Sequence, residues 1–492
     1  MRKYVFLLCI GLIVSVQALI ADVRLPQIFS NGMVLQRHQP IAVWGWADPG
    51  EQVKVSLNKQ QKETTADSKG KWKLALSPEE AGGPFQLVVA GKNTLKLSDV
   101  LIGEVWICSG QSNMEWSVAN SDNAEQEIAR ADSPRIRHIK IPRKTAGQPL
   151  DDIGEPLEWK QANPQNVGDF TAVGYFYARE LQKQLDVPIG LINTSWGGTM
   201  VETWISKEAL EKDKSLKKAV QVFENVPADT VQKNTNPNRY PTLLFNAMIN
   251  PLIPYTIKGA IWYQGESNAG RAYEYRTSFP MMIKDWRKRW RLGDFPFYFV
   301  QLASFKAAGG TSATGSTWAE LREAQHLTLS LPRTGEAVTI DIGNTNDIHP
   351  RNKQDVGKRL AAIALHDSYD KNVVYSGPEY KTHKISGDQV TVHFDHVHGG
   401  LTTKGSDKVV GFEIAGADQK FYSADARIDG EAIVVSSSSV AKPKAVRYAW
   451  ADDPGTCNLF NNEGFPAVPF RTDTWTPVTK NAVYELKKYD PQ

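Results

Sequence analysis

The chain has 492 residues and a mass of 54.7 kDa; at about 100 to 200 residues per domain, that length excludes a single small module and points to two to four domains. Hydrophobic residues make up 41% and charged residues 23%, the balance of a globular chain and not of a disordered one. Lys plus Arg is 57 against 54 for Asp plus Glu, a net charge of +3 that leaves no electrostatic footprint for nucleic acid or an anionic membrane.

In chain order, residues 1–21 read as a secretory signal. Arg2 and Lys3 form a positive start, residues 4–16 an apolar run, and Ala18 and Ala21 offer small residues for cleavage. The expected location is therefore exported, periplasmic or secreted. The run is shorter than the ~20 apolar residues that cross hydrocarbon, so no membrane span is expected after its removal. Cys9 lies in this segment. The other two cysteines, Cys108 and Cys457, are too few for a disulfide framework, lack a CxxC spacing for zinc, and offer at most one optional bridge.

From residue 22 to 100 short alternating segments, at 41–46, 52–57, 71–76 and 85–90, are separated by Gly, Pro and Asp turns, the pattern of a β-sandwich. The texture changes at Val105. Apolar runs expected to be strands, at 105–108, 136–141, 189–193, 259–263, 297–302 and 337–341, alternate with segments of helical period. The clearest of these places Val173, Tyr177, Leu181 and Leu185 on one face. Such alternation predicts an α/β domain over residues 101–372, a parallel sheet covered by helices on both sides with its chemistry at the carboxyl ends of the strands. Residues 206–240 form a polar, Lys-rich helical excursion, and 356–365 a closing helix. After 373 alternation returns at 389–394, 411–414, 432–436 and 445–448, predicting a C-terminal β-rich domain to residue 492.

Chemistry-bearing residues gather where strands end. After the first strand of the α/β region stands Gly110-Gln111-Ser112-Asn113-Met114-Glu115. A serine there is placed as a nucleophile beside backbone N–H donors, but Ser112 with Glu115 also spells a capping box that merely starts a helix. Beyond the last strand lies Asn346-Asp347-Ile348-His349-Pro350. His349 fits a general base, Asp347 its orienting acid, with Asp341 in reserve. Two further turns, Asn193-Thr194-Ser195-Trp196-Gly197-Gly198-Thr199 and Gln264-Gly265-Glu266-Ser267-Asn268, carry amide donors suited to an oxyanion.

Together these blocks resemble the sialate O-acetylesterase branch of the SGNH hydrolases, and the likeness extends through both flanking β-regions, including Asn458-Leu459-Phe460-Asn461 and Pro469-Phe470-Arg471. The resemblance implies a flavodoxin-like α/β fold flanked by N- and C-terminal β-sandwich-like domains. It also implies a serine esterase with no metal or other cofactor. Matched by motif position, Ser112 would be nucleophile, His349 base and Asp347 acid, with Gln111, Gly198, Gln264, Glu266 and Asn268 around the oxyanion and substrate. The acid stands two residues before the histidine; the superfamily's usual place, three before, holds Asn346. The substrate implied is an acetyl ester of sialic acid or a related glycan. The alternatives are acetylxylan or another acetylated carbohydrate, or a non-catalytic carbohydrate-binding protein, which fourteen tryptophans and sixteen tyrosines would also suit.

Three other clusters have plain structural readings. Strand alternation separates His393 from His396 and His398, which argues against a metal site. The basic, aromatic stretch from Asp285 to Arg291 reads as a helix with buried tryptophans and not as a nucleic-acid face. Arg447, Trp450 and Asp452 are candidates to reach the cleft from the C-terminal domain.

Overall fold

The structure, a computed structural model, describes residues 22–224 and 239–485; the expected signal and residues 225–238 of the excursion lie outside them. One strand organises the rest. β1 (Thr94–Gly110) runs for 17 residues, and its two halves have different sequence textures. Thr94 to Asp99 alternate between exposed and half-buried, whereas Val100 to Gly110 are buried without a break, as expected of a strand covered on both faces. The first half pairs antiparallel with Gly82–Ala90 in the N-terminal β-region, and the second half forms the middle of the parallel sheet. The expected division near residue 100 thus falls inside a continuous strand.

The sheet continues with β2 (Ser133–Lys140), β3 (Lys160–Ala162), β4 (Ile189–Ser195), β5 (Gly259–Tyr263), β6 (Phe297–Val300) and β7 (Thr334–Ala337), in the order β7-β6-β5-β1-β4-β2-β3. All pairs are parallel except β2 with β3. Setting aside the edge strands β2 and β3, the remaining five follow the flavodoxin order 2-1-3-4-5, whose switch point lies between the first and third strands, here β1 and β5. The last strand ends earlier than the expected 337–341, because residues 338–341 leave the sheet toward the histidine loop.

Alternate residues of the central strands enter different cores. Val105, Ile107, Ala260, Trp262, Phe297 and Phe299 face one cluster, and Trp106, Cys108, Ile261, Tyr263, Tyr298 and Val300 the other. The helices α1 (Ser112–Glu115), α2 (Ala172–Leu185), α3 (Ala272–Trp290), α4 (Thr317–Leu327) and α5 (Lys353–Tyr369) follow strands or their loops. α2 and α5 cover the second face, where Gly357 lets α5 approach so closely that a Cβ there would lie 2.6 Å from the Phe176 side chain. α3 and α4 cover the first with Phe279, Trp286, Trp318 and Leu321.

Flanking this layer, Ile41–Trp46 pairs with Lys71–Leu76, facing a second group of strands that includes Gln52–Leu57. The C-terminal part holds two four-stranded antiparallel sheets around a third core, which Val338 and Ile340 also enter. Cys108 and Cys457 are both free and buried, so the optional bridge does not form. Trp286 and Trp290 are buried in α3, and Arg287 is buried with them and donates to the carbonyls of Phe295 and Pro332, while Lys288 and Arg291 stay exposed. No helix among the described residues is long and apolar enough to cross a membrane.

Candidate active site

The turn after β1 is fixed by its backbone. Gly110 has φ +134°, and a Cβ there would fall 2.2 Å from the Tyr263 carbonyl of β5, so only glycine fits. Gln111 N–H donates to that same carbonyl at 2.9 Å. In register, Gly110 lies beside both Ser195 and Tyr263, which brings the turns after β1, β4 and β5 out together at the switch point.

Gln111, and not Ser112, occupies the N-cap position of α1, and no side chain caps that helix. The Ser112 hydroxyl instead lies 2.8 Å from His349 Nε2, which removes the capping reading. Glu115 is likewise not turned back on the cap: it takes a two-pronged ion pair from Arg143 at 2.8 and 2.6 Å and accepts from Gly197 N–H at 3.0 Å. The Trp116 ring stacks on the imidazole, centroids 4.9 Å apart and 17° from parallel. Burial, then the nearby Lys353 ammonium, pull the His349 proton affinity below its ordinary value against the opposing charge of Asp347.

Asp347 does not reach the ring as a hydrogen-bond partner. Its Oδ1 is 3.7 Å from His349 Nδ1 and accepts the backbone N–H of His349 at 2.9 Å. Asp341 is engaged elsewhere: both its oxygens accept from Arg359 at 2.7 Å.

The turn after β5 corrects one expectation. Gln264 is fully buried, and its two N–H donors go to the Thr199 carbonyl and Asn268 Oδ1 while Tyr275 donates to its oxygen; no donor remains for an oxyanion. Asn268 is similarly committed, accepting from Val201 N–H and donating to Glu202. Gln111 Oε1 accepts long bonds from Gly265 and Ser267 N–H. These side chains lock three loops together because each is a buried amide that must satisfy both ends. Gly198 lies in the turn after β4 with φ +71°, beside Gly197, where a Cβ would come within 3.3 Å of Ser112 Cβ. Glu266 points into the protein, one oxygen accepting from Asn113 at 2.6 Å and the other buried without a partner.

A cleft of about 680 Å³ opens over this pair, lined by Ser112, Trp116, Lys140, Arg143, Lys160 and His349 among others. Asp452 does not reach it; the carboxylate accepts from Gly310 N–H and Ser316 Oγ and pins the loop before α4. Among the described residues no three His, Cys, Asp or Glu are grouped to hold a metal ion.

The sequence reading missed Asn113 and Lys353. Lys353 carried a usable signal, because a cation in the first turn of a helix opposes the helix dipole and calls for a compensating reason.

Residues 102–366 match the family described as carbohydrate esterase, sialic acid-specific acetylesterase. The chain is 31% identical to the sialate O-acetylesterase of Homo sapiens over 491 residues, covering 91% of this chain and 92% of that protein. It is 34% identical to that of Mus musculus over 411 residues, 72% and 75% of the two chains. A crystal structure of a carbohydrate acetylesterase from Xanthomonas citri superposes with a TM-score of 0.85 at 44% identity, covering 92% of this chain and all of the other.

Proposed function

The chain belongs to the sialic acid-specific acetylesterase family of carbohydrate esterases, and from that premise we propose that it is an exported serine esterase releasing acetate from O-acetylated sialic acids or related glycans. The observation that carries this reading is the 2.8 Å contact between Ser112 Oγ and His349 Nε2 at the floor of an open cleft.

In the first step Ser112 Oγ attacks the acetyl carbonyl while Nε2 takes its proton. The tetrahedral oxyanion is met by main-chain donors. Gly197 N–H is already engaged by Glu115, so the Ser112 and Gly198 N–H groups are assigned this role, each worth about 10²- to 10³-fold in rate. The C–O bond to the sugar then breaks, and the proton on Nε2 passes to the departing sugar oxygen. Water enters, gives its proton to Nε2 and attacks the acetyl-serine. Acetate leaves as Oγ recovers the proton. Asp347 supports the imidazolium by charge at 3.7 Å and fixes the histidine backbone.

Lys140, Arg143 and Lys160 in the cleft wall offer cations to the carboxylate of a sialic acid, beside the acids Glu115, Glu158 and Asp169. Export rests on the positive and apolar start of the chain. Ser112→Ala is expected to lower acetate release about 10⁴- to 10⁶-fold in a folded protein; retained turnover would falsify the assignment. Comparing O-acetyl sialic acid with acetylxylan separates the two sugars, and failure of a fluorophosphonate to label Ser112 would favour a non-catalytic carbohydrate binder.

A further inference from the structure

Beneath the Ser112–His349 pair lies a buried polar cluster that the reaction steps do not use. Lys353, the first residue of α5, is fully buried, and its Nζ donates to Asn113 Oδ1 at 2.5 Å. Asn113, 1% exposed, donates from its amide to Glu266 Oε1 at 2.6 Å and to the Ile348 carbonyl at 3.0 Å. Ile348 immediately precedes the histidine and Asn113 immediately follows the serine, so one carboxamide ties the two reacting loops together. The rings of Trp116 and Tyr263 flank the ammonium at 5.8 and 5.4 Å.

Burying an ammonium is costly unless something offsets it. Glu266 and Asp347 do so only in part, and burial still pushes Lys353 down to about 7. Placing a cation here, at the positive end of a helix, makes sense if the site needs the charge.

We propose that Lys353 is a positioning residue for the Ser112–His349 pair: through Asn113 it holds the two loops in register, and its ammonium, which shares the Trp116 ring with the imidazole, favours the neutral imidazole. The inference rests on the esterase reading above. On the acid side, where His349 gains its proton, Lys353 is charged, so the two effects act in the same window. The charged groups facing the imidazole are Lys353 and Asp347. Those facing Lys353 are Glu266 and Asp347. Across the cleft stand the Glu115–Arg143 pair, Lys140, Glu158, Lys160 and Asp169.

The test is the pH profile of kcat/KM for a small acetyl ester with Lys353→Met and Lys353→Arg, Ser112→Ala serving as the blank. Lys353→Met is expected to move the acid limb up by about one pH unit and to lower kcat about tenfold or more with KM within about twofold. Lys353→Arg should restore the position of the limb. An unmoved limb in folded Lys353→Met would overturn the inference while leaving the esterase reading intact; activity in the Ser112→Ala blank would overturn the reading itself. Should Lys353→Met not fold, Asn113→Ala carries the test. It keeps the ammonium but frees the loops, so fluorophosphonate labelling of Ser112 should slow about tenfold, and labelling at the unmodified rate refutes the strut.

Discussion

Asp347 is a half-exposed carboxylate whose effect on the imidazole is carried by charge and by a backbone bond, and this limits how much its removal can cost. Asp347→Asn keeps an oxygen to accept the His349 N–H but loses the charge 3.7 Å from Nδ1. The expected result is a loss in kcat of about ten- to a hundredfold, short of the ~10⁴ that follows removal of a carboxylate bonded directly to the ring in the serine-protease template. Asp341→Asn acts elsewhere. It leaves the Arg359 guanidinium buried with half its partner, a change that costs about 3 to 5 kcal/mol in such pairs. Melting temperature should fall while kcat per folded molecule holds. If the Asp341 variant alone were catalytically crippled, Asp347 would have to be abandoned as the supporting acid.

At the scale of one element, β2 brings His138 to the cleft wall, stacked on Phe170 with centroids 4.4 Å apart and Nε2 buried without a partner. Burial, followed by the charges of Lys140 and Lys160, pushes this imidazole down to about 3. The unfolded chain takes up a proton near 6.5 that the folded one refuses until about 3, so between those values the unfolded state binds more protons and stability falls as pH falls. The slope from this one residue is up to about 1.4 kcal/mol per pH unit. His138→Phe keeps the stack and removes the titration. Between pH 6.5 and 4, thermal unfolding should show the unmodified protein losing stability faster than the variant, and parallel curves would refute the assignment.

Across the whole molecule, His326 near the end of α4 clasps the sheet edge to the C-terminal domain. Its Nδ1 meets Glu336 of β7 at 2.9 Å and its Nε2 meets Glu379 at 3.4 Å. Burial disfavours the cation, but the two carboxylates overcome that and raise the group to about 10. Because the folded value lies above the unfolded one, the clasp stabilises fully below about 6.5 and its contribution disappears as pH rises through 10. His326→Gln should therefore cost about 1.5 to 3 kcal/mol at pH 6, read as a lowered melting temperature, and little at pH 10. An equal loss at both values would mean that packing, not charge, joins these domains.

The chain alone determined the elements whose periodicity is strong. Ile41–Trp46, Gln52–Leu57, Gly259–Tyr263 and Ala432–Ser436 lie where alternation or an unbroken apolar run placed them, because a buried face imposes its period on the residues that cover it. The meeting of Ser112 and His349 was legible too, since parallel strands deliver the loops that follow them to one edge. What the sequence could not determine is which donors face solvent. Whether Ser112 capped a helix or met a histidine 237 positions away, and whether Gln264 served an oxyanion or a neighbouring loop, depends on partners distant in sequence. A hydrogen bond is settled by direction and distance within fractions of an ångström, and that precision arises only when the loops after β1, β4 and β5 pack against one another. The same holds for Lys353, whose burial beside Asn113 exists only once α5 docks beneath the serine turn.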